Sequence, residues 1–577
     1  MADDTRHPFR WGFADTRLEF DGPRSVRMTG ARYPLSGQSM PYLLPYVEQM
    51  LGVAVDASSI APDVMPPVPP PRLDPAFIAA LERLVPADRL ATDAQARLSH
   101  SHGQLAIGEI DRLVQGRRIG RVVDVVVTPV DEAEVAALVA AAVAHDACVV
   151  PYGGGTNVSG ALVCPEDEPR TIVSMDMRRM CRVLSVDPDN GCALVEAGIS
   201  GTALEAALGE LGYTCGHAPD SMEFSTLGGW IATNASGMKK NRYGNIEDIV
   251  VEATLVTPVG VIESRRPAAR TSTGMQPLSL LFGSEGNLGV ITKVLIAVHP
   301  KPEVCRYGSV VFRSFGDGVA FLKAVRAAQA LPASIRLVNN REFRLGQALR
   351  PARQGPHAWV GAAQRRWLCD MLGFDPATLA ACTLVMEGTA DEVSRQEREL
   401  RRLAKRARAV WGGEENGRRG YLLTFAIAYL RDFMSQIGIL AETFETSVPW
   451  DRIEAVCGAA ERALASECEA RGVVGQPYLS YRVTQTYHTG VCIYFTMGFS
   501  GHGLADPGGA FSEIERTLRQ VILDHGGSLS HHHGVGKLRQ RFLPQVHSAA
   551  GLGLIRAAKA AVDPRNTFGI GNGACGR

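Results

Sequence analysis

Three stretches of the chain combine glycine with hydroxyl and amide side chains in a way that suits a polyphosphate ligand. The first reads Pro151, Tyr152, Gly153, Gly154, Gly155, Thr156, Asn157, Val158, Ser159, Gly160. Three consecutive glycines behind an apolar run leave backbone N–H groups uncovered, as an anionic diphosphate requires. Alone, such a loop is equally a tight turn. The second stretch, residues 216–237, carries Asp220, Ser221, Met222, Glu223, Phe224, Ser225 and Thr226, then Thr233, Asn234, Ala235 and Ser236. The third runs Gly283, Ser284, Glu285, Gly286, Asn287, Leu288, Gly289, Val290, Ile291, Thr292. Three loops of this kind within about 140 residues fit one long polar ligand better than three unrelated turns. Gly571, Gly573 and Gly576 spell G-x-G-x-x-G without a following helix, and Gly536-Lys537 lacks the rest of a phosphate-loop motif, so both are chance matches.

The elements that must hold these loops are visible as well. A strand-like run at 122–130 leads to Asp131, a good N-cap, and to a helical stretch at 132–145. An apolar run at 148–151 then breaks into the glycine loop. Runs at 183–186 and 193–197 flank Asp187-Pro188-Asp189-Asn190-Gly191, a hairpin signal because Asn-Gly accepts positive φ. Residues 201–212 read as a helix. Beyond residue 300, strand-like pieces (307–312, 383–387, 491–499) alternate with helical ones (316–330, 391–410, 450–470). The pattern predicts an α+β chain in four parts: an N-terminal helical region with a proline-rich linker (1–118), a cofactor domain (119–300), an α+β cap domain (301–515) and a C-terminal segment carrying a histidine loop (516–577). Residues 62–75, with Met65-Pro66-Pro67-Val68-Pro69-Pro70-Pro71, favour extended geometry and form a linker or a strap.

Sixty basic side chains balance sixty acidic ones, which leaves no basic surplus for a nucleic-acid partner. The twelve cysteines include no C-x-x-C pair, so a zinc ribbon and a disulfide framework are not indicated, and a reducing, cytoplasmic setting is the simplest expectation. The polar N-terminus and the final Cys-Gly-Arg show neither a secretory nor a peroxisomal signal. The alanine-valine run at 135–144 is followed at once by His145 and Asp146; it is too short to cross a bilayer and reads as a buried helix face. Membrane contact is therefore expected to be peripheral.

P-Y-G-G-G-T-N-V-S-G, D-S-M-E-F-S-T-L-G-G-W and G-S-E-G-N-L-G-V-I-T together resemble the FAD-binding domain of the vanillyl-alcohol-oxidase type. R-Y-P-L-S-G (32–37), A-S-G-M-K-K-N-R-Y-G-N-I-E-D (235–248), P-A-S-I-R-L (332–337), G-Y-L-L-T-F-A-I-A-Y-L-R-D (420–432), F-E-T-S-V-P-W-D-R (444–452), R-V-T-Q-T-Y (482–487) and G-G-S-L-S-H-H-H-G-V-G-K-L-R (526–539) resemble the alkyldihydroxyacetonephosphate synthase family, and the likeness runs over residues 11–568. The resemblance implies a two-subdomain FAD-binding domain beneath an α+β cap. It implies FAD, bound without a covalent link, at Pro151, Tyr152, Gly153, Gly154, Gly155, Thr156, Asn157, Asp220, Ser221, Met222, Glu223, Phe224, Ser225, Thr226, Thr233, Asn234, Ala235, Ser236, Gly286, Asn287, Leu288, Gly289, Val290, Ile291 and Thr292. At Asn234 relatives of this type often carry arginine, so a positive charge beside the loops is missing.

The same resemblance implies an active site of Arg336, Arg431, Tyr494, His531, His532 and His533. The residue types make chemical sense beside their ordinary readings. Arginine forks a phosphate in a way lysine cannot copy, and Arg431 closes an apolar segment, which assigns it to the substrate phosphate. A tyrosine in an apolar strand is by default a core aromatic; as a proton carrier Tyr494 requires a nearby cation. Three histidines between glycines suit proton shuttling and phosphate hydrogen bonding better than a solvated loop or a metal centre, and no metal is expected. The reaction implied exchanges the acyl chain of acyl-dihydroxyacetone-phosphate for a long-chain alcohol, giving an ether and a fatty acid without net redox, with flavin N5 holding the carbon between. A homodimer is expected. The alternative is an FAD-dependent 2-hydroxy acid dehydrogenase or oxidase acting on a lactate- or glycolate-like substrate.

Overall fold

A computed structural model describes residues 5–61, 63–103, 106–351 and 367–576. The first four residues and Arg577, on which the reading of targeting signals partly rests, and Pro62, where the proline-rich segment begins, lie outside the described residues. The chain forms two compact units, and each is assembled from separate stretches of sequence. One takes Pro8–Arg10, Val64–Lys301 and Leu529–Arg577; the other takes Met1–His7, Trp11–Asp63 and Pro302–Ser528.

Besides the short antiparallel pair Tyr213–Thr214 and His299–Pro300, the described residues of the first unit form two sheets. In one, Cys148–Tyr152 and Val125–Val127 run parallel to Ile172–Asp176, and Leu90–Ala91 adds an antiparallel edge. The other is antiparallel, in the order Gly260–Ile262, Val250–Thr257, Val290–Ala297, Cys192–Glu196, Val183–Asp187. The helix Glu132–Ala144 starts where Asp131 accepts the Glu134 N–H, and it buries Val135, Leu138, Val139 and Ala142. That i, i+3, i+4, i+7 spacing is what turns an alanine-valine run into a core face. Of the strand expected at 122–130 only Val125–Val127 pairs as a ladder. Its start is held by side chains instead: Asp124 takes the Ile172 N–H at 2.8 Å and the Arg121 guanidinium at 2.8 Å, and Ser101 takes the Val123 N–H.

The proline-rich segment is a strap on this unit. Arg97 reaches the Pro69 carbonyl at 2.9 Å, and Asp124 takes the Arg72 N–H at 2.8 Å. The C-terminal helix Ala549–Val562 then sends the chain back into the core, where the Thr567 carbonyl accepts the Val149 N–H and Phe568 is fully buried beside Val139 and Val149.

The second unit is built on a seven-stranded antiparallel sheet, ordered Val410–Trp411, Val304–Phe312, Ala380–Gly388, Ser334–Val338, Tyr478–Thr486, Gly490–Ser500, Ile439–Pro449. Helices Phe315–Ala327, Ala390–Arg406, Ile453–Ala470 and Pro507–Asp524 belong to it. Val338 stands opposite Arg482, and Arg482 opposite Tyr494. Side chains alternate across a strand, so Arg336, Arg482, Tyr494 and Thr496 share one face, while Leu337, Val483, Ile493 and Phe495 share the other.

Beside the glycine loop, Asp176 ends its strand between Arg178 and His100. Arg178 donates to it at 2.6 Å, and His100 Nε2 lies 3.1 Å away. Burial opposes ionisation here, but the bonds from His100 and Arg178 outweigh it and hold the carboxyl well below the usual aspartate range. A carboxyl depressed in the folded state contributes stability above its unfolded pKa, near 4, and loses it as pH falls below that value. Asp176→Asn is therefore expected to cost on the order of 3 kcal/mol at neutral pH. The gap from the parent should narrow steadily in thermal melts below pH about 4; a constant gap down to pH about 2.5 would contradict the account.

Candidate active site

In the first unit the glycine loop lies against residues 224–226, backbone to backbone at Gly154. A Cβ on Gly153 would fall 2.2 Å from Thr226 Oγ1, and one on Gly154 would fall 2.2 Å from the Phe224 carbonyl oxygen. Gly155 turns the chain at φ +65°, with the Tyr152 hydroxyl 2.5 Å from where its Cβ would stand. Thr226 caps the helix Leu227–Thr233 by accepting from Gly229, and Asn234 ends it at φ +51°. The third loop docks on the same helix, since the Glu285 N–H donates to the Ala232 carbonyl at 2.8 Å. All three sequence loops thus meet around one helix.

Several of their side chains serve this frame. Ser225 accepts from Trp230 Nε1 at 2.8 Å, Thr233 donates to the Gly229 carbonyl at 2.9 Å and Ser236 to Asn245 at 2.7 Å. Val290 lies in the core, and Thr292 donates to Glu132 at 2.7 Å; at these two strand positions only the backbone is left to offer a ligand. Other groups are left open. Among the described residues, Asn234 Oδ1 and both ring nitrogens of His217 are buried without a hydrogen-bond partner. Burial, and then the neighbouring His532, push the His217 imidazole down to about 3, so it stays neutral. Buried polar atoms without a partner, such as those of Asn234 and His217 on the second loop, are what a buried polar cofactor would satisfy. The residues present fit FAD.

The histidine loop belongs to this unit. His531 Nδ1 and His532 Nδ1 are 2.8 Å apart, so one carries the hydrogen and the other accepts it. Successive rings cross at 85° and 77°. Glycine on either side gives the backbone the freedom for this. Two titratable groups beneath were not singled out in the sequence. Burial pushes Lys537 down to about 8 and Glu109 up to about 8.

Arg336, Arg431 and Tyr494 belong to the second unit. Tyr494 lies on the polar face of the sheet with the Arg482 guanidinium 4.2 Å from its ring centroid. Arg482 is itself held by Glu342 at 2.7 Å. Thr443 Oγ1 lies 3.3 Å from the Tyr494 hydroxyl and 3.1 Å from Glu442. Arg336 donates to Thr424 at 2.7 Å. Arg431 is not the free fork expected from its place after an apolar run. Asp432 takes its Nε and Nη2 at 2.9 and 2.6 Å, and Glu442 takes Nη1 at 3.1 Å. Asp432 also accepts the Trp11 N–H at 2.8 Å, which ties the N-terminal stretch of this unit to the pair. Burial pushes the Glu442 carboxyl above its usual range against the pull of Arg431 and Thr443. Arg482, Glu442 and Asp432 went unassigned in the sequence reading; the available signal was their charge inside otherwise apolar segments.

Known families match both parts of the chain. A family model described as FAD binding domain matches residues 123–264, and one described as FAD linked oxidases, C-terminal domain, matches residues 301–572. An alkyldihydroxyacetonephosphate synthase of Caenorhabditis elegans is 40% identical over 97% of this chain and 94% of its own length. One of Dictyostelium discoideum is 31% identical over 86% of this chain and 80% of its own. A solved structure of an alkyldihydroxyacetonephosphate synthase superposes with a TM-score of 0.84 at 27% identity, covering 97% of this chain and 98% of that one.

Gly154→Ala tests the cradle, because the clashing atom at 2.2 Å is main-chain carbonyl and cannot swing aside. The expected result is a loss of about 1–3 kcal/mol of stability from overpacking. The ratio of bound FAD to protein, read by absorbance, should drop; full flavin retention would show that the loop does not hold it.

Proposed function

Because the chain belongs to the alkyldihydroxyacetonephosphate synthase family, we propose that it exchanges the acyl chain of acyl-dihydroxyacetone-phosphate for a long-chain alcohol, forming an ether and releasing a fatty acid without net redox. FAD is the cofactor, held by the residues 151–157, 220–226, 233–236 and 286–292 named above. When bound, it supplies an electron-deficient ring system against which a substrate carbon can react. The observation that carries the assignment of roles is Tyr494, a phenol on the polar sheet face with the Arg482 guanidinium over its ring.

Tyr494 moves the proton at the reacting carbon. Arg482 supplies the positive charge that a developing phenolate needs, and Thr443 orients the hydroxyl. His531 and His532 pass protons along their linked ring nitrogens, and His533, its ring against His532, donates to oxyanions. Arg336 and Arg431 meet the substrate phosphate. Arg431 already faces Asp432 and Glu442, so an incoming anion adds charge to a pair of buried carboxylates. Glu442, already pushed up by burial, takes a proton as the phosphate arrives and frees its side of the guanidinium.

No described helix is long and apolar enough to cross a membrane. The lipid substrates of this reaction support peripheral contact with a membrane, and a cytoplasmic homodimer is proposed with it.

Two experiments test the reading. Acyl-dihydroxyacetone-phosphate and hexadecanol given to the purified holoenzyme should yield the alkyl ether by mass spectrometry. Tyr494→Phe should lower that rate by about 10²-fold or more while FAD stays bound. Bleaching of the flavin by lactate or glycolate, with no ether formed, would replace the synthase reading by that of a hydroxy-acid dehydrogenase. The proton count gives the second test. Uptake on binding means that apparent affinity for the phosphate substrate falls as pH rises through the Glu442 pKa of the complex. Glu442→Gln should flatten that dependence; the same slope in both proteins would remove Glu442 from the account.

A further inference from the structure

Glu285 belongs to the third sequence loop, yet its side chain turns away from the bonds that shape that loop. Its carboxylate is buried and collects donors from two other segments. Oε1 accepts from Ser159 Oγ at 3.1 Å, at the end of the glycine loop, and from the Val535 and Gly536 N–H groups at 3.2 and 3.0 Å. Oε2 accepts from the Gly536 N–H at 2.7 Å. The backbone of Glu285 is held as firmly: its N–H goes to Ala232, its carbonyl takes Asn572 Nδ2 at 2.9 Å, and its φ is +46°. One residue therefore touches the glycine loop, the helix Leu227–Thr233, the segment after the histidines and the C-terminal tail.

The segment after the histidines is cut to fit it. A Cβ on Gly534 would stand 2.5 Å from Glu285 Oε1, and one on Gly536 would stand 2.1 Å from the Ser159 carbonyl oxygen. Both glycines have positive φ, +80° and +49°. The Ser159 carbonyl accepts the N–H groups of Lys537 and Leu538 at 3.0 and 3.2 Å. Lys537 Nζ reaches Asn572 Oδ1 at 2.8 Å, and Arg539 reaches the Val158 carbonyl at 3.1 Å. Every one of these bonds lies within the FAD unit. A buried carboxylate gathering main-chain N–H groups costs desolvation and fixes direction in return.

We propose that Glu285 is the positioning residue of the histidine loop: its carboxylate locks residues 534–536 to the glycine loop and so sets where His531, His532 and His533 stand relative to the cofactor cradle. Glu285 touches neither substrate nor flavin in this account and acts through the loop. The proposal rests on the reading in which the histidines move protons during turnover. The Gly-Asn-Gly at 571–573, dismissed above as a chance glycine pattern, belongs to the same lock through Asn572.

Glu285→Gln keeps the size and leaves one oxygen where two are used, with an amide N–H₂ facing main-chain donors. In the purified holoenzyme three quantities are read: the FAD-to-protein ratio, hydrogen exchange of the peptide covering residues 531–537, and steady-state turnover. The expected result is flavin retention within about twofold and exchange at 531–537 faster by at least about tenfold, with the helix Glu132–Ala144 unchanged as internal reference. A misplacement of about 1 Å then lowers kcat by roughly 10²-fold with little change in KM. Unchanged exchange in that peptide overturns the lock, whatever the turnover. Faster exchange with unchanged kcat overturns the positioning role. Exchange needs no substrate, so it still reads the lock if the parent enzyme forms no ether and the synthase reading itself fails. Should Glu285→Gln not retain FAD, Ser159→Ala removes one donor and keeps the charge. It is expected to speed the same exchange by about threefold, and no change there overturns the proposal.

Discussion

The close approach of main chain to main chain at the glycine loop is the constraint on which the FAD unit depends. A Cβ on Gly154 would stand 2.2 Å from the Phe224 carbonyl oxygen, so the first two loops cannot share a wall unless that glycine has no side chain, and one on Gly153 would stand 2.2 Å from the Thr226 hydroxyl that caps the next helix. From that contact the rest follows. Thr226 is fixed as the cap of the helix Leu227–Thr233, the third loop hangs its N–H groups on the end of that helix, and Glu285 is carried into the interior. The polar atoms Asn234 Oδ1 and His217 Nδ1 and Nε2 are left buried without a hydrogen-bond partner, which a polar ligand would satisfy. A polyphosphate cofactor here completes the unit's interior as well as enabling its chemistry.

In the second unit the corresponding rule is strand alternation. One face of the seven-stranded sheet carries Leu337, Val483, Ile493 and Phe495, all nearly fully buried, and the other carries Arg336, Arg482, Tyr494 and Thr496. Register decides which chemistry meets which: Arg482 stands opposite Tyr494 on one side, and Glu445 opposite it on the other. A one-residue slip would turn the arginines and the tyrosine into the apolar layer, so the stability of the apolar face also enforces the order of the polar one.

The sequence was most legible where spacing and local chemistry coincide. The helix at 132–145 and the hairpin around Asn190-Gly191 were readable because capping, periodicity and turn preference are local, and they appear as Glu132–Ala144 and the paired strands Val183–Asp187 and Cys192–Glu196. The three loops were readable from their glycines. The short ladder at Val125–Val127 was overestimated because Asp124 and Ser101 take over the backbone groups that a longer strand would have paired. Residues 64–118, expected to form part of a separate N-terminal region, fold with the FAD unit, since nothing local announces that Arg97 and Asp124 will hold a proline strap. Arg482, Glu442, Glu285 and Asn572 went unassigned for the same reason: their partners lie 14 residues or more away for Arg482 and up to 287 away for Asn572, or depend on which face a strand presents.

Buried charge in the second unit gathers in two groups. Arg431 meets Asp432 and Glu442, and Arg482 meets Glu342, all with side chains at most 12% exposed. Buried charges of this kind must balance or change protonation, because an uncompensated one costs several kcal/mol. Among these five groups three carboxylates face two guanidiniums, and Glu442 is the one that burial drives toward its neutral form. A neutral Glu442 leaves two carboxylates against two guanidiniums. Arg336 adds a further guanidinium on the same sheet, and Glu387 and Glu445 add two further buried carboxylates. Tyr494 itself lies under the Arg482 guanidinium, 4.2 Å from its ring centroid, a positive charge that favours the phenolate it would form on losing its proton.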